Sequence, residues 1–346
     1  MQSCGWLVVK FSAYMHAWLY GEHGYYSQQR TIGKEGDFYT AVSTSIFFGG
    51  CIAKRLLSTI ESGFLSPSCC VVEIGAHKGY LLADMIQFIY TLKPSLLETL
   101  TFVIVEPFVA NQEMQKAYFE EAFGDAITLL HVKSLESFTC KEGFVVANEI
   151  FDAFVCEVIR NDEMLYIENN QAIFKPMDAM TLQKAQELKV SKGELCLEYE
   201  PFAYALRQAC ERFEFVTFDY GEKEGREDFS LRVYANHQVY PFFGLTDMVE
   251  EKLREQYHFS DYFAKADVTY DVNFSHLILA FEAAGARLEA YSTQMKALVD
   301  FGLIELLDVL QKNVPFEHYE TELKRVKTLI DPSFMGERFK MVCFRA

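Results

Sequence analysis

The sequence predicts an α/β fold built on an open, mostly parallel sheet, and three observations support this. Apolar runs at residues 70–74, 101–105, 144–147 and 213–218 have the continuous hydrophobicity of strands buried on both faces. Between the first two, Leu81, Leu82, Met85, Ile86 and Ile89 recur at helical spacing until Pro94 stops the helix. Strand, helix and strand in that order form the elementary unit of a doubly wound sheet.

The remaining elements follow along the chain. Phe11, Tyr14, Met15, Trp18 and Leu19 mark a first helix, and the stretch 21–26, with its glycines and tyrosines, leads out of it. Residues 33–40, GKEGDFYT, read as a loop, after which Ile46, Phe47, Ile52, Leu56 and Leu57 predict a helix to about residue 60. Beyond the strand at 213–218, a polar and aromatic stretch at 221–274 reads as an insertion that caps the site, with its own helix near 246–256. A helix at 276–285, a strand at 287–291, helices at 300–311 and 318–330, and a strand at 339–344 complete the chain. There is no internal repeat or low-complexity linker, so the insertion is expected to be woven into the core. The expected division is a helical lead-in with a lid loop at 1–62, and a core at 63–346 carrying the cap at 221–274.

A chain of 346 residues exceeds a minimal single core, and with 50% hydrophobic residues, 31 Phe and 19 Tyr it has ample material to fill a larger one. Lys and Arg total 32 against 49 Asp and Glu, and a net charge of −17 repels phosphate backbones, so no nucleic-acid partner is expected. The acidic balance suits solubility first and attraction of a basic protein segment second. The nine cysteines show no CxxC pair and no Cys/His cluster at ligand spacing, which points to a reducing compartment and no metal. Residues 1–20 lack the pattern of a secretory signal and contain no Arg, and no run reaches the ~18 apolar residues of a membrane span. A cytoplasmic protein without membrane insertion is therefore expected.

The sharpest motif is Val71-Val-Glu-Ile-Gly-Ala-His-Lys-Gly79, a buried strand ending in an acid, then a turn between two glycines, then a helix. At the carboxyl edge of an open sheet such a turn lets a ligand approach the backbone and the free N–H groups of the helix start. A dinucleotide site asks for GxGxxG and a P-loop for GK[ST], and neither is present. S-adenosylmethionine has no phosphates to cradle. It needs room for its amino and carboxylate groups and an acid for its ribose hydroxyls, and Glu106, ending the strand at 101–105, stands where that acid would accept them. The competing reading is a tight strand-to-helix turn with a surface glutamate.

A second constellation, Ala147-Asn-Glu-Ile-Phe-Asp-Ala153, places Asn148, Glu149 and Asp152 at the same sheet edge. Carboxylates can orient a guanidinium through paired, charge-assisted hydrogen bonds, and alignment supplies most of the catalysis in methyl transfer. The competing reading makes Asn148 the cap of a following helix and the acids complements to its dipole. Phe218-Asp-Tyr-Gly221 reads as a channel lining or a turn, and Gly36-Asp-Phe-Tyr-Thr40 as a lid or a packed loop.

Taken in order, these motifs resemble the MidA-like family of class I S-adenosylmethionine-dependent methyltransferases. The matching pieces also include Gly24-Tyr-Tyr26, Phe48-Gly49, Ala235-Asn-His237, Ala266-Asp-Val-Thr269, Val272-Asn-Phe274, Met335-Gly336 and Phe339-Lys340, so the resemblance covers nearly the whole chain. It implies a Rossmann-like, seven-stranded, mostly parallel sheet with helical N-terminal and cap additions. It also implies that Glu73, Gly75, Gly79 and Glu106 hold S-adenosylmethionine and that the segment 148–152 faces donor and substrate. The reading adopted adds Ala76 to the donor site, has Phe38, Tyr39 and Thr40 close over it, and has Asn148, Glu149 and Asp152 orient the acceptor. Mitochondrial relatives are protein arginine methyltransferases needed to assemble respiratory complex I, so the implied partner is a protein substrate, with an arginine of a complex I subunit as the specific suggestion. Two departures stand out. Ala41-Val42 replaces the family's usual Pro-Glu pair, and Ala76-His-Lys-Gly79 replaces its glycine-rich PGRG. They keep open a second reading, a noncatalytic assembly protein, while a third, a small-molecule methyltransferase, would be favoured by a closed and apolar acceptor pocket.

Overall fold

The computed structural model describes residues 8–28, 40–226, 228–235, 238–249 and 257–346. They divide into two compact units. One holds Tyr39–Ile150, Phe202–Tyr220 and Ala280–Ala346, and the other Met1–Phe38, Phe151–Pro201 and Gly221–Leu279.

The first of these units is built on seven strands: β1 (Cys70–Ile74), β2 (Thr101–Val105), β3 (Leu129–Val132), β4 (Cys140–Asn148), β5 (Cys210–Glu222), β6 (Arg287–Thr293) and β7 (Phe339–Arg345). Their order across the sheet is β3-β2-β1-β4-β5-β7-β6. Only β7 runs against its neighbours. The apolar runs read from sequence all fall in this sheet. β3 escaped that reading because it is a half-exposed edge strand of four residues. The order reverses between β1 and β4, and open α/β sheets bind ligands in the crevice beyond such a reversal.

Alternate residues of the inner strands, among them Val71, Phe102, Ile104, Phe144, Val146, Val216 and Phe218, enter one core with the helices Phe47–Glu61 and Tyr80–Leu92. Those two helices approach closely because Gly49 and Gly50 have no side chains. A Cβ at Gly49 would lie 2.6 Å from that of Asp84, and one at Gly50 would lie 2.7 Å from the Phe88 ring. On the other face, Phe281 stacks on Phe344 at 4.1 Å and on Phe215 at 5.2 Å, with ring planes within 7° of parallel. Glu214 on β5 is fully buried, and Arg55 and Arg345 bond its two carboxylate oxygens at 2.6 and 2.7 Å.

In the other unit, strands Cys156–Arg160, Glu163–Glu168, Gln171–Pro176 and Lys192–Cys196 form an antiparallel sheet, joined at one edge by Val9–Lys10. A smaller sheet pairs Arg232–Ala235 with Gln238–Pro241 and Asp267–Thr269. The helix Phe11–Tyr20 packs by its aromatic face, and the Trp18 indole N–H donates to the Ala266 carbonyl at 2.7 Å. The last two residues of β5, Gly221 and Glu222, pair with Val272–Asn273. A Cβ at Gly221 would lie 2.1 Å from the Val272 carbonyl oxygen, so only glycine fits. Residues 156–196 carry strands that were not read from sequence. The helix expected near 246–256 is not formed at 246–249, which are turn, and residues 250–256 lie outside the described part.

Candidate active site

The turn after β1 is held in an unusual backbone conformation. Gly75, His77 and Gly79 have φ of +73°, +46° and +81°, the Gly79 N–H donates to the Ala76 carbonyl at 2.7 Å, and Gly79 opens the helix Tyr80–Leu92. Gly75 is required on two counts, its left-handed φ and an Ile150 methyl 2.7 Å from where its Cβ would stand. Ala76 is buried beneath the turn, whereas Gly75 is exposed.

Glu73, at the end of β1, is 4% exposed and accepts the Leu82 N–H at 3.0 Å, tying the strand end to the first turn of the helix. Burial pushes its carboxyl up to about 8, against the effect of that hydrogen bond. Nearby Asp84 is pushed up to about 7 by burial. Glu106, one residue past β2 and also 4% exposed, accepts the Phe108 N–H at 3.0 Å through Oε1. Its own N–H donates to the Val132 carbonyl at 2.9 Å, which joins the ends of β2 and β3. Burial raises the Glu106 carboxyl above its ordinary range.

Ile74 and Ala147 are in register on adjacent strands, so the turn after β1 lies beside Asn148 and Glu149 at the end of β4. Glu149 has φ +53°, and its N–H donates to the Phe218 carbonyl at 2.8 Å. Its Oε1 accepts both the Asn148 side-chain N–H at 2.7 Å and the Ala41 backbone N–H at 3.2 Å. The second bond needs the residue that stands here in place of proline, because proline has no N–H to give. Asn148 Oδ1 is buried without a hydrogen-bond partner. The element that follows is a three-residue 3-10 turn, Phe151–Ala153, so the alternative of a helix capped by Asn148 has no helix to cap.

Thr40 caps the short helix Ala41–Thr44, its hydroxyl accepting the Ser43 N–H at 3.2 Å. Phe38 and Tyr39, expected from sequence to close over the donor with Thr40, lie outside the described residues. Asp152 belongs to the other unit, where it is 6% exposed and its carbonyl accepts the Tyr270 N–H at 3.1 Å. There Tyr26 donates to Asp267 at 2.8 Å, and burial, reinforced by the charges of Asp267 and Asp152, raises the Tyr20 and Tyr26 hydroxyls well above their ordinary range. Asp219, at the end of β5, is fully buried and accepts the Tyr220 N–H at 2.9 Å.

The structure thus groups Glu73, Gly75, Ala76, Gly79 and Glu106 around the reversal point, with Asn148 and Glu149 beside them. Gln115 also belongs to this group, although it sits on a helix whose polar composition gives no sign of burial. Among the described residues, no three His, Cys, Asp or Glu side chains are placed to hold a metal ion.

The fit to a sulfonium nucleoside rests on a turn stripped of side chains at two left-handed positions and on a buried acid at the neighbouring strand end. Each carboxylate oxygen offers more than one acceptor site, so Glu106 retains capacity beyond the bond from Phe108.

A family model described as "Putative S-adenosyl-L-methionine-dependent methyltransferase" matches residues 51–292. Curated relatives include "Protein arginine methyltransferase NDUFAF7, mitochondrial" of Danio rerio, 23% identical over 351 aligned positions that cover 92% of this chain and 78% of that protein. The Drosophila melanogaster protein "Protein arginine methyltransferase NDUFAF7 homolog, mitochondrial" is 26% identical over 145 residues, 38% of this chain and 33% of its own length. A solved methyltransferase-like protein from Burkholderia thailandensis, bound to S-adenosyl-homocysteine, superposes with a TM-score of 0.77 at 21% identity, covering 98% of this chain and 88% of that one. That likeness establishes the class I methyltransferase fold.

Proposed function

Because the chain belongs to this family of S-adenosyl-L-methionine-dependent methyltransferases, we propose that it binds S-adenosylmethionine at the turn after β1 and methylates a side-chain nitrogen of a protein. The observation that carries the reading is the pairing of that turn with Glu106, a buried carboxylate on the adjacent strand end.

S-adenosylmethionine supplies an electrophilic methyl group on a sulfonium sulfur. The chain's contribution is to bind and align. Glu106 accepts hydrogen bonds from the ribose hydroxyls, and the left-handed turn admits the rest of the nucleoside close to the backbone. Asn148 Oδ1, an acceptor with no partner, and the Glu149 carboxylate stand beside the turn, suited to orient an N–H-bearing nucleophile and to take up positive charge as it develops.

The arginine methyltransferase names of the two relatives favour a guanidinium acceptor, and the mitochondrial family resemblance favours a subunit of respiratory complex I. The test is to incubate the purified protein with methyl-labelled S-adenosylmethionine and extract from cells lacking it, then map the labelled residues by mass spectrometry. Label on arginine of a defined protein supports the full reading. Label confined to small molecules replaces the acceptor class, and donor binding with no transfer to anything points to the noncatalytic assembly role.

A further inference from the structure

We propose that Gln115 is a positioning residue for the methyl donor, its side-chain amide locking the turn after β1 and the Glu106 carboxyl into the arrangement that takes the nucleoside. The inference rests on the donor site proposed above.

The helix Val109–Phe123 is polar along most of its length and buries only Gln115 and Phe119. These are four residues apart and therefore share one face. Phe119 fills the space left by Gly79, its ring 2.9 Å from where a Cβ would stand. Gln115 is 0% exposed, and a buried amide is costly unless its polar atoms are paired. Here they are. Nε2 donates to the His77 carbonyl at 2.7 Å and to Glu106 Oε2 at 3.4 Å, while Oε1 meets His131 Nε2 at 2.9 Å.

One amide thus bridges three places: the turn itself, the acid expected to grip the ribose, and the end of β3. No other side chain does this from the same backbone site. Asparagine is one methylene short, glutamate has no N–H, and leucine has no polar atom. The contact to His77 falls on a residue in the left-handed region, φ +46°, a conformation that persists only where surrounding bonds hold it. Because the Gln115 oxygen can only accept, His131 carries its proton on Nε2. Burial lowers the His131 pKa.

The experiment titrates S-adenosyl-homocysteine into wild type, Gln115→Leu and Gln115→Glu by calorimetry, with thermal melts to confirm folding. In Gln115→Leu affinity should fall about tenfold or more, because the His77 carbonyl and Glu106 lose their donor. Gln115→Glu should bind as weakly at about pH 8, where a carboxylate faces Glu106 and the His77 carbonyl, and recover toward wild type at about pH 5.5 as its proton restores one donor. The comparison is with wild type at the same pH, since Glu106 and His131 face position 115 in every variant. A merely structural role would not produce that recovery. Folded variants that bind within about twofold of wild type at both pH values overturn the inference and leave the donor site standing. A variant too unstable to melt cooperatively also counts against a positioning role. Wild type that binds no S-adenosyl-homocysteine overturns the donor site, and this inference with it.

Discussion

Glu73 shows how a single buried residue can tie a site together, since it joins the end of β1 to the first turn of the helix that follows. Its carboxyl, closed off from water and bonded to the Leu82 N–H, is pushed up to about 8 from an ordinary 4.5. Between those values the unfolded chain gives up the proton while the folded chain keeps it, so this group's contribution to stability falls as pH rises through that window and is fully lost above about 8. Glu73→Gln keeps the acceptor and removes the titration. Its melting temperature relative to wild type should therefore climb from about pH 5 to about pH 8, by an amount equivalent to about 3 kcal/mol or less. A gap that stays level across the range would mean the native carboxyl is ionised. Gly75 carries a similar lesson. Valine there is forced into a left-handed φ and onto the Ile150 methyl, so it should destabilise the fold by about 2 kcal/mol in urea denaturation as well as disturb the turn. It is a less clean probe of donor binding than a change at Glu106. Stability equal to wild type would show that the turn relaxes without cost.

At the scale of elements, the sheet depends on more than apolar runs. Glu214, fully buried on β5, links the helix Phe47–Glu61 through Arg55 to β7 through Arg345. Removing one partner of such a cluster leaves charge buried and uncompensated, and Glu214→Ala should lose about 3–5 kcal/mol of unfolding free energy in urea. A loss below about 1 kcal/mol would mean the two arginines find water once the acid is gone. The strands of the second unit were harder to read from sequence, for a physical reason. The segment from 156 to 176 breaks the simple alternation by burying Glu157, whose carboxylate accepts both the backbone N–H and the hydroxyl of Ser12. Its turns were nonetheless marked. Asn169 and Asn170 sit between two apolar runs with φ of +49° and +62°, the residue type and conformation of a tight hairpin. The helix Val109–Phe123 gave no amphipathic signal because its two buried residues are one phenylalanine and one glutamine.

For the molecule as a whole, the inner strands of the central sheet and the turn after β1 could be anticipated from four apolar runs and two glycines, since parallel strands buried on both faces leave little choice of side-chain type, whereas the order of the strands could not. The partnerships of Glu73, Glu106, Asn148 and Glu149 could not, because a carboxylate's bond to a distant backbone N–H leaves no pattern in sequence. The net charge of −17 bears on the acceptor. A basic protein substrate should show a Michaelis constant that rises as salt is raised from about 50 to 300 mM while the turnover number holds, and an unchanged constant would argue against electrostatic capture. The most direct test of the central claim is a calorimetric titration of S-adenosyl-homocysteine into wild type and Glu106→Ala. Saturable binding at one site in wild type, weakened about a hundredfold or more in the folded variant, is the predicted result. No saturable binding by wild type, or equal affinity in the two proteins, would contradict it.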